Sequence, residues 1–324
     1  MEIVTEKYRP SKLDDVVGQE HVTSFIKKFV KNKDIPNMLF SGPAGCGKTT
    51  TAIALAKELY GKNWKDYFYE INASDENSVE TIRNKVKTYA KLKVIGQEYK
   101  IIFFDEMDHL SKSAQACLRR IIENSTKTCR FVFSCNYPNK VIQPLIDRCV
   151  VFRFKPIKPQ SMKIMLDKVV KEENIDITHS ALYTLATLSN GSMRRALNTL
   201  EKIKKGELTK VDDDTIYNIM GYINDEFVLK LIQATNENDI KYVDKRLSNL
   251  LYERVYQPEE IIESLNRLLI DSQVLSEDGK IQALRELGTV EYRIAIGATP
   301  EIQLRAFMAY LMMLFKKYKV KKSE

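Results

Sequence analysis

The stretch GPAGCGKT, Gly42 to Thr49, constrains this chain more than any other. It fits the eight-position pattern G-x-x-x-x-G-K-[ST], in which glycines let backbone N–H groups turn inward around phosphate oxygens. Gly42, Pro43, Ala44, Gly45, Cys46 and Gly47 form the curl, and Lys48 is placed to neutralise β- and γ-phosphates. The Thr49 hydroxyl, with Thr50 behind it, is placed to ligate Mg²⁺. The setting agrees, because the apolar NMLFSG ahead reads as a strand and TTTAIALAKELYG behind reads as a helix. A glycine-rich turn with no ligand is a poor alternative in that context. Such a loop joins a buried parallel strand to a helix, so the fold around it has to be α/β.

The following residues keep the same rhythm. YFYEINAS reads as a strand, SVETIRNKVKTYAKL as an amphipathic helix and KIIFFDE as a strand buried on both faces. SAQACLRRIIEN is helical, and CRFVFSCN and RCVVFRF are further strands. This alternation predicts a doubly wound parallel sheet flanked by helices over residues 1–157. The two prolines of KPIKPQ then break the pattern and mark a hinge. SMKIMLDKVVKEENI, THSALYTLATLSNG and SMRRALNTLEKIKKG are three short amphipathic helices, and the acidic run at 212–214 opens a fourth. Longer helical patterns fill 223–324. The expected division is therefore 1–157, 158–222 and 223–324.

A triphosphate site needs an acidic residue at the end of a neighbouring strand, and IIFFDEMD supplies it. Asp105 is placed to hold the metal, and Glu106, one residue beyond the strand, to polarise an attacking water. A plain helix-opening acidic cluster is the bland alternative. Asn136, the polar residue ending CRFVFSCN, lies where open parallel sheets present ligand contacts, although an Asn before Tyr137–Pro138 also suits a simple turn. Arg148, in IQPLIDRCVVFRF, has no acidic partner at helical spacing, and the adjacent Asp147 carboxylate either holds it in place or weakens its cationic field.

Composition sets outer bounds. The chain has 324 residues, 44% hydrophobic and 29% charged, as in ordinary globular proteins. The net charge of +8 permits a nucleic-acid partner, but a basic tail such as FKKYKVKKSE is equally consistent with a solvated end. No apolar run reaches transmembrane length, and MEIVTEKYRP lacks the pattern of a secretory leader. The five cysteines contain no CxxC pair, which argues against zinc and for reduced thiols inside a cell.

The ordered series EKYRP, VVGQE, GPAGCGKTT, NASD, DEMD, SCN, DRC and GSMRRALN resembles the small subunits of replication factor C, the AAA+ clamp loader of archaea and eukaryotes. EYRIAIGATPEIQL, residues 291–304, resembles the C-terminal collar of the archaeal members. The resemblance implies an α/β AAA+ P-loop NTPase domain, a small helical lid domain and an all-helical collar that assembles the subunits. It implies an ATPase using ATP and Mg²⁺, with the sliding clamp, primer–template DNA, a large subunit and further small subunits as partners in a ring, expected to be a pentamer. The location implied is cytoplasmic in an archaeon or nuclear in a eukaryote, with no membrane.

By the same resemblance Thr5, Tyr8, Arg9 and Val17 lie around the adenine, and Arg194 is a lid-borne sensor of the γ-phosphate. Arg148 is implied to be an arginine finger acting in trans on the ATP of a neighbouring subunit, and Asn136 a sensor in its own site. Arg83, Lys87 and Lys91 recur every fourth residue and, with Lys112 on the next helix, are implied to track DNA phosphates. The chain departs from the family where Glu76-Asn77-Ser78 follows NASD, where Met107 stands in the acidic box, and where Asp147 replaces serine before Arg148. Two other readings fit part of the sequence. A branch-migration motor shares the RP…GQE opening but ends in a winged helix with strands. A purely structural subunit typically loses the phosphate loop, which is intact here.

Overall fold

The computed structural model describes residues 3–74, 80, 82–91, 99–253 and 256–318, without side chains at 82, 83, 91 and 253. The chain divides into two compact units, Met1–Val211 and Asp212–Glu324.

The first unit is built on a five-stranded sheet of order β2-β3-β4-β1-β5. The strands are β1 Met38–Ser41, β2 Phe68–Asn72, β3 Lys100–Asp105, β4 Cys129–Cys135 and β5 Val150–Arg153, and every pairing is parallel. Alternate residues therefore leave the sheet on opposite faces. Ile101, Phe103 and Val132 join one apolar cluster with Ala52 to Ala56 of the Lys48–Tyr60 helix. Ile102, Phe104, Phe131 and Phe133 join a second with Ala114, Leu118, Ile121 and Ile122 of the Lys112–Asn124 helix. Both faces of the central strands are covered, which is why β1, β3 and β4 read as continuous apolar runs. Lys100, at the start of β3, is buried as well, and its ammonium lies 3.9 Å from the centroid of the Tyr89 ring. On the edge strand β5, Val150 and Val151 are partly open to solvent.

Within the expected helix over 78–92, Glu80 is helical, Ile82–Val86 is wound as a π-helix and Lys87–Lys91 is α-helical. Three helices follow the sheet, Pro159–Glu173, His179–Leu188 and Met193–Lys205. Pro159 opens the first, where a missing N–H costs nothing. Thr178 and Ser192 cap the other two by accepting from Ala181 N and Arg195 N. Gln19, fully buried, secures the crossing from sheet to helices. Its Nε2 donates to the carbonyls of Cys46 and Lys155, and its Oε1 accepts from Lys155 N.

The described part of the second unit consists of helices and their connections. Asp212 caps the Asp213–Met220 helix by accepting from Thr215 N at 2.9 Å. Asp225–Asn236, Ile240–Ser248, Pro258–Asp271, Glu277–Ala295 and Pro300–Tyr318 pack around Leu231, Leu247, Leu265, Leu287, Phe307 and Leu311. No strand occurs among the described residues of this unit, and no helix among the described residues is long and apolar enough to cross a membrane.

Phe133 is 1% exposed and stacks against Phe104 at 5.5 Å between ring centroids. Phe133→Ala is expected to lower the stability of the first unit by about 3–5 kcal/mol, through lost transfer energy and a residual cavity. Trp64, the single tryptophan, packs on Phe68 in this unit, so its fluorescence during urea unfolding reads the change.

Candidate functional site

Parallel strands bring their carboxyl ends to one edge, and the phosphate loop leaves β1 there. Gly42 follows the strand so closely against Phe154 that a Cβ would overlap the Phe154 carbonyl oxygen. Gly47, with φ 101°, turns the chain into the Lys48–Tyr60 helix, whose N-terminus carries unpaired N–H groups and a partial positive charge. Lys48 lies at the centre. Its Nζ donates to Gly42 O at 2.7 Å, Pro43 O at 2.8 Å and Asn136 Oδ1 at 2.8 Å. Burial pulls its pKa below the ordinary lysine value. The neighbouring Cys46 thiol is pushed up by burial and donates to Pro43 O.

Asp105 closes the other side of the loop. Its Oδ2 accepts from the Thr49 hydroxyl at 2.6 Å, and its Oδ1 accepts from Ser134 Oγ and from Glu106 N at 3.0 Å. Glu106 has φ 55° and ψ 39°, a left-handed conformation that costs a non-glycine residue about 1 kcal/mol or more. That turn ends the strand abruptly and leaves Glu106 lining the same cleft as Lys48 and Asn136. Asp108, 6% exposed, accepts from the backbone N–H groups of Asn136 at 3.3 Å and Tyr137 at 3.2 Å. The end of β3 thus fixes the end of β4.

Lys48, Thr49, Asp105, Glu106 and Asn136 line a cleft of about 400 Å³. Ala44 to Thr50 form its phosphate-loop wall, and Asp105, Glu106 and Asn136 its sheet-edge wall. Thr5, Tyr8, Arg9 and Val17 lie on the side of the N-terminal strap. Arg194 and Met193 come from the third helix after the sheet, where Met193 N donates to Gly45 O at 3.0 Å. Gly42 and Pro43 line an adjacent groove beside β5 instead, while their carbonyls hold Lys48.

Arg148 lies outside this cleft and is not partnerless. Its guanidinium donates to Pro144 O at 2.7 Å and pairs with Glu123 Oε1 at 2.5 Å. Glu123 sits in the last turn of the Lys112–Asn124 helix and also binds Arg119 at 3.2 Å. Those two arginines, Arg119 first, pull the Glu123 carboxyl below its ordinary pKa. No acidic partner stands at helical spacing; the carboxylate that pairs with Arg148 is Glu123, 25 residues away in sequence. The neighbouring Asp147 carboxylate accepts from Gln143 Nε2 at 2.7 Å.

Lys87 and Lys112 are exposed, whereas the side chains of Arg83 and Lys91 and the whole of Glu76-Asn77-Ser78 lie outside the described residues. Two contributors escaped the sequence reading. Asp108 was visible only as the last letter of DEMD, and Gln19 only as part of VVGQE. Nothing local marks either, because each acts on backbone atoms at least 27 residues away.

Comparison with known proteins agrees with this architecture. Residues 38–157 match the AAA family, ATPases associated with various cellular activities. Residues 165–205 match the RCF1/5-like AAA+ ATPase lid domain, and 223–310 the replication factor C C-terminal domain. The replication factor C small subunit of Archaeoglobus fulgidus is 44% identical over 318 residues, covering 98% of this chain and 99% of that one. Its counterparts from Haloarcula marismortui and Methanothermobacter thermautotrophicus are 38% and 37% identical, covering 96% and 94% of this chain and 95% of each relative. The Holliday junction branch migration motor RuvB of Thermotoga maritima has a similar fold, with TM-score 0.56 and 19% identity, over 80% of this chain and 91% of that one. That likeness is one of fold alone, and the helical second unit with its replication factor C match does not favour a branch-migration reading. An AAA ATPase domain, the matching lid, the matching C-terminal domain and end-to-end identity place this chain in the replication factor C small-subunit family.

Proposed function

We propose that this chain is one ATP-hydrolysing station in a ring of related subunits that loads a sliding clamp onto primer–template DNA. The observation that carries the reading is the split arrangement of charge. Lys48, Thr49, Asp105, Glu106, Asn136 and Arg194 serve one cleft, while Arg148 lies outside it. A cation in that position suits the ATP of an adjacent subunit, which would make hydrolysis conditional on assembly. Further small subunits and a large subunit complete the ring, for which five members is the expected number. The working division of the chain is an ATPase domain at 1–157, a lid at 158–222 and a collar at 223–324. The location is the cytoplasm in an archaeon or the nucleus in a eukaryote.

The residues suit the chemistry. A phosphate oxygen offers Lys48 a full negative charge where carbonyl oxygens offer partial ones. The Thr49 hydroxyl and the Asp105 carboxylate form an adjacent pair of hard oxygen ligands that fits Mg²⁺. When bound there, the ion supplies charge compensation at the β- and γ-phosphates. Glu106 accepts the proton of the attacking water as the new P–O bond forms and the bond to ADP breaks. Asn136, joined to Lys48, orients the water and γ-phosphate, and Arg194 brings a lid charge to the same group. Thr5, Tyr8, Arg9 and Val17 hold the adenine end. Lys87 and Lys112, together with Arg83 and Lys91, supply a sequence-independent and salt-sensitive path for DNA phosphates.

The decisive measurement is ATP turnover by the assembled ring with and without primed DNA and clamp. Stimulation by both is expected; turnover indifferent to them would sink the clamp-loading reading. Arg148→Ala in every subunit is expected to leave ATP binding nearly intact and to reduce stimulated turnover by about 10³-fold. Rings mixed from Arg148→Ala and Lys48→Ala subunits should regain activity wherever an intact finger meets an intact site, and no recovery would point to a local role. Asp108→Ala, which leaves the Asn136 and Tyr137 N–H groups without their carboxylate, is expected to lower kcat about tenfold with little change in KM.

A further inference from the structure

Behind the cleft, on the side away from the phosphates, lies a buried carboxylate that the mechanism above does not use. Glu173 ends the Pro159–Glu173 helix, and its side chain is 4% exposed. A carboxylate at a helix C-terminus opposes the macrodipole, so the position does nothing for the helix on its own. A buried charge of that kind persists only when donors surround it. Here there are three. Lys7 Nζ reaches Oε1 at 2.5 Å, the Tyr8 hydroxyl donates to Oε1 at 2.7 Å, and Lys204 pairs with Oε2. Lys204, Lys7 and Tyr8 together hold the carboxyl at a pKa of about 2. Burial and Glu173 push the Tyr8 phenol up to about 12.

The donors come from two separate parts of the first unit. Lys7 and Tyr8 belong to the N-terminal strap, whose Val4–Lys7 turn packs on the Met193–Lys205 helix. Lys204 lies in the last turn of that helix. Both helices also contribute side chains to the cleft. Met165 lines it two helical turns before Glu173 on the same face, and Leu197 lines it seven residues before Lys204. Tyr8 itself lines the cleft and is 7% exposed. With its hydroxyl committed to Glu173, Tyr8 has only its ring to offer a bound base.

We propose that Glu173 is a positioning residue for the nucleotide, fixing Tyr8 at the base end of the cleft and fastening the strap and the two lid helices into one body around the ligand. The proposal rests on the reading of this cleft as the ATP site. Its effect belongs to binding and not to the chemical step, since Glu173 stands with the strap and lid and not with Asp105, Glu106 and Asn136. A carboxylate serving helix packing alone would change stability without changing affinity.

The test measures ATP binding by calorimetry and ATP turnover for the wild-type chain, Glu173→Gln, Tyr8→Phe and the double variant, with Lys48→Ala as a non-binding control. Glu173→Gln keeps the shape and removes the charge; it is expected to raise Kd and KM for ATP about tenfold, with kcat changing less than about threefold. Tyr8→Phe removes only the hydroxyl and is expected to weaken binding in the same direction. Because both act through one contact, the double variant should lose less than the product of the two single losses. If Glu173→Gln fails to fold, Tyr8→Phe still decides the matter. Unchanged ATP affinity in Tyr8→Phe, or in a folded Glu173→Gln, overturns the proposal. Independent, multiplying losses overturn it too. A wild-type chain that binds no ATP overturns the ATP-site reading as well, which separates the two failures.

Discussion

A lysine ammonium buried beside a sheet edge has to be surrounded by oxygen, and much of this unit's architecture meets that demand. Three acceptors reach Lys48 Nζ: two carbonyls from the loop that curls around it and the Asn136 side-chain oxygen. The curl requires glycine where the chain brushes Phe154, and Asn136 requires β4 to end beside β1. Asp108 fixes that ending from β3, and Gln19 fixes the loop from below through Cys46 O. Each contact is modest alone, on the order of 1 kcal/mol for the neutral Gln19 bond and about 1.5–3 kcal/mol for those to the charged Lys48 and Asp108 groups. Their joint effect is a cation held still, in a low-dielectric setting where an incoming phosphate feels it strongly.

The two carboxylates at the sheet edge are placed by the same logic of strand ends. Asp105 stays within the sheet's hydrogen-bonded frame, with both oxygens engaged, while Glu106 is turned away by a left-handed backbone step. Asp105 is thereby committed to contacts with the loop and the neighbouring strand, and Glu106 is released to face the cleft. The two carboxylates are adjacent in sequence, and the backbone conformation between them separates their roles.

What could be read from the sequence divides by distance along the chain. The phosphate loop, the apolar strands and the acidic pair at 105–106 were legible because their signals are local: spacing, alternation and composition within about ten residues. The caps at Thr178, Ser192 and Asp212 belong to the same class. The contacts that tune the site were not legible. Arg148 finds Glu123 across 25 residues, Gln19 finds Lys155 across 136, and Tyr8 finds Glu173 across 165. Only the folded chain brings such pairs together, and no periodicity announces them. The π-winding at Ile82–Val86 escaped for another reason, since an amphipathic pattern does not distinguish it from an α-helical turn.

The pair between Arg148 and Glu123 lies at the surface, with side chains 32% and 41% exposed, so it contributes little and is screened by salt. On the proposed reading, that weak grip lets a neighbour's triphosphate take the guanidinium from Glu123. Ionic strength would then act twice: added salt would weaken any DNA contact at Lys87 and Lys112, and the same salt would loosen the carboxylate that holds Arg148.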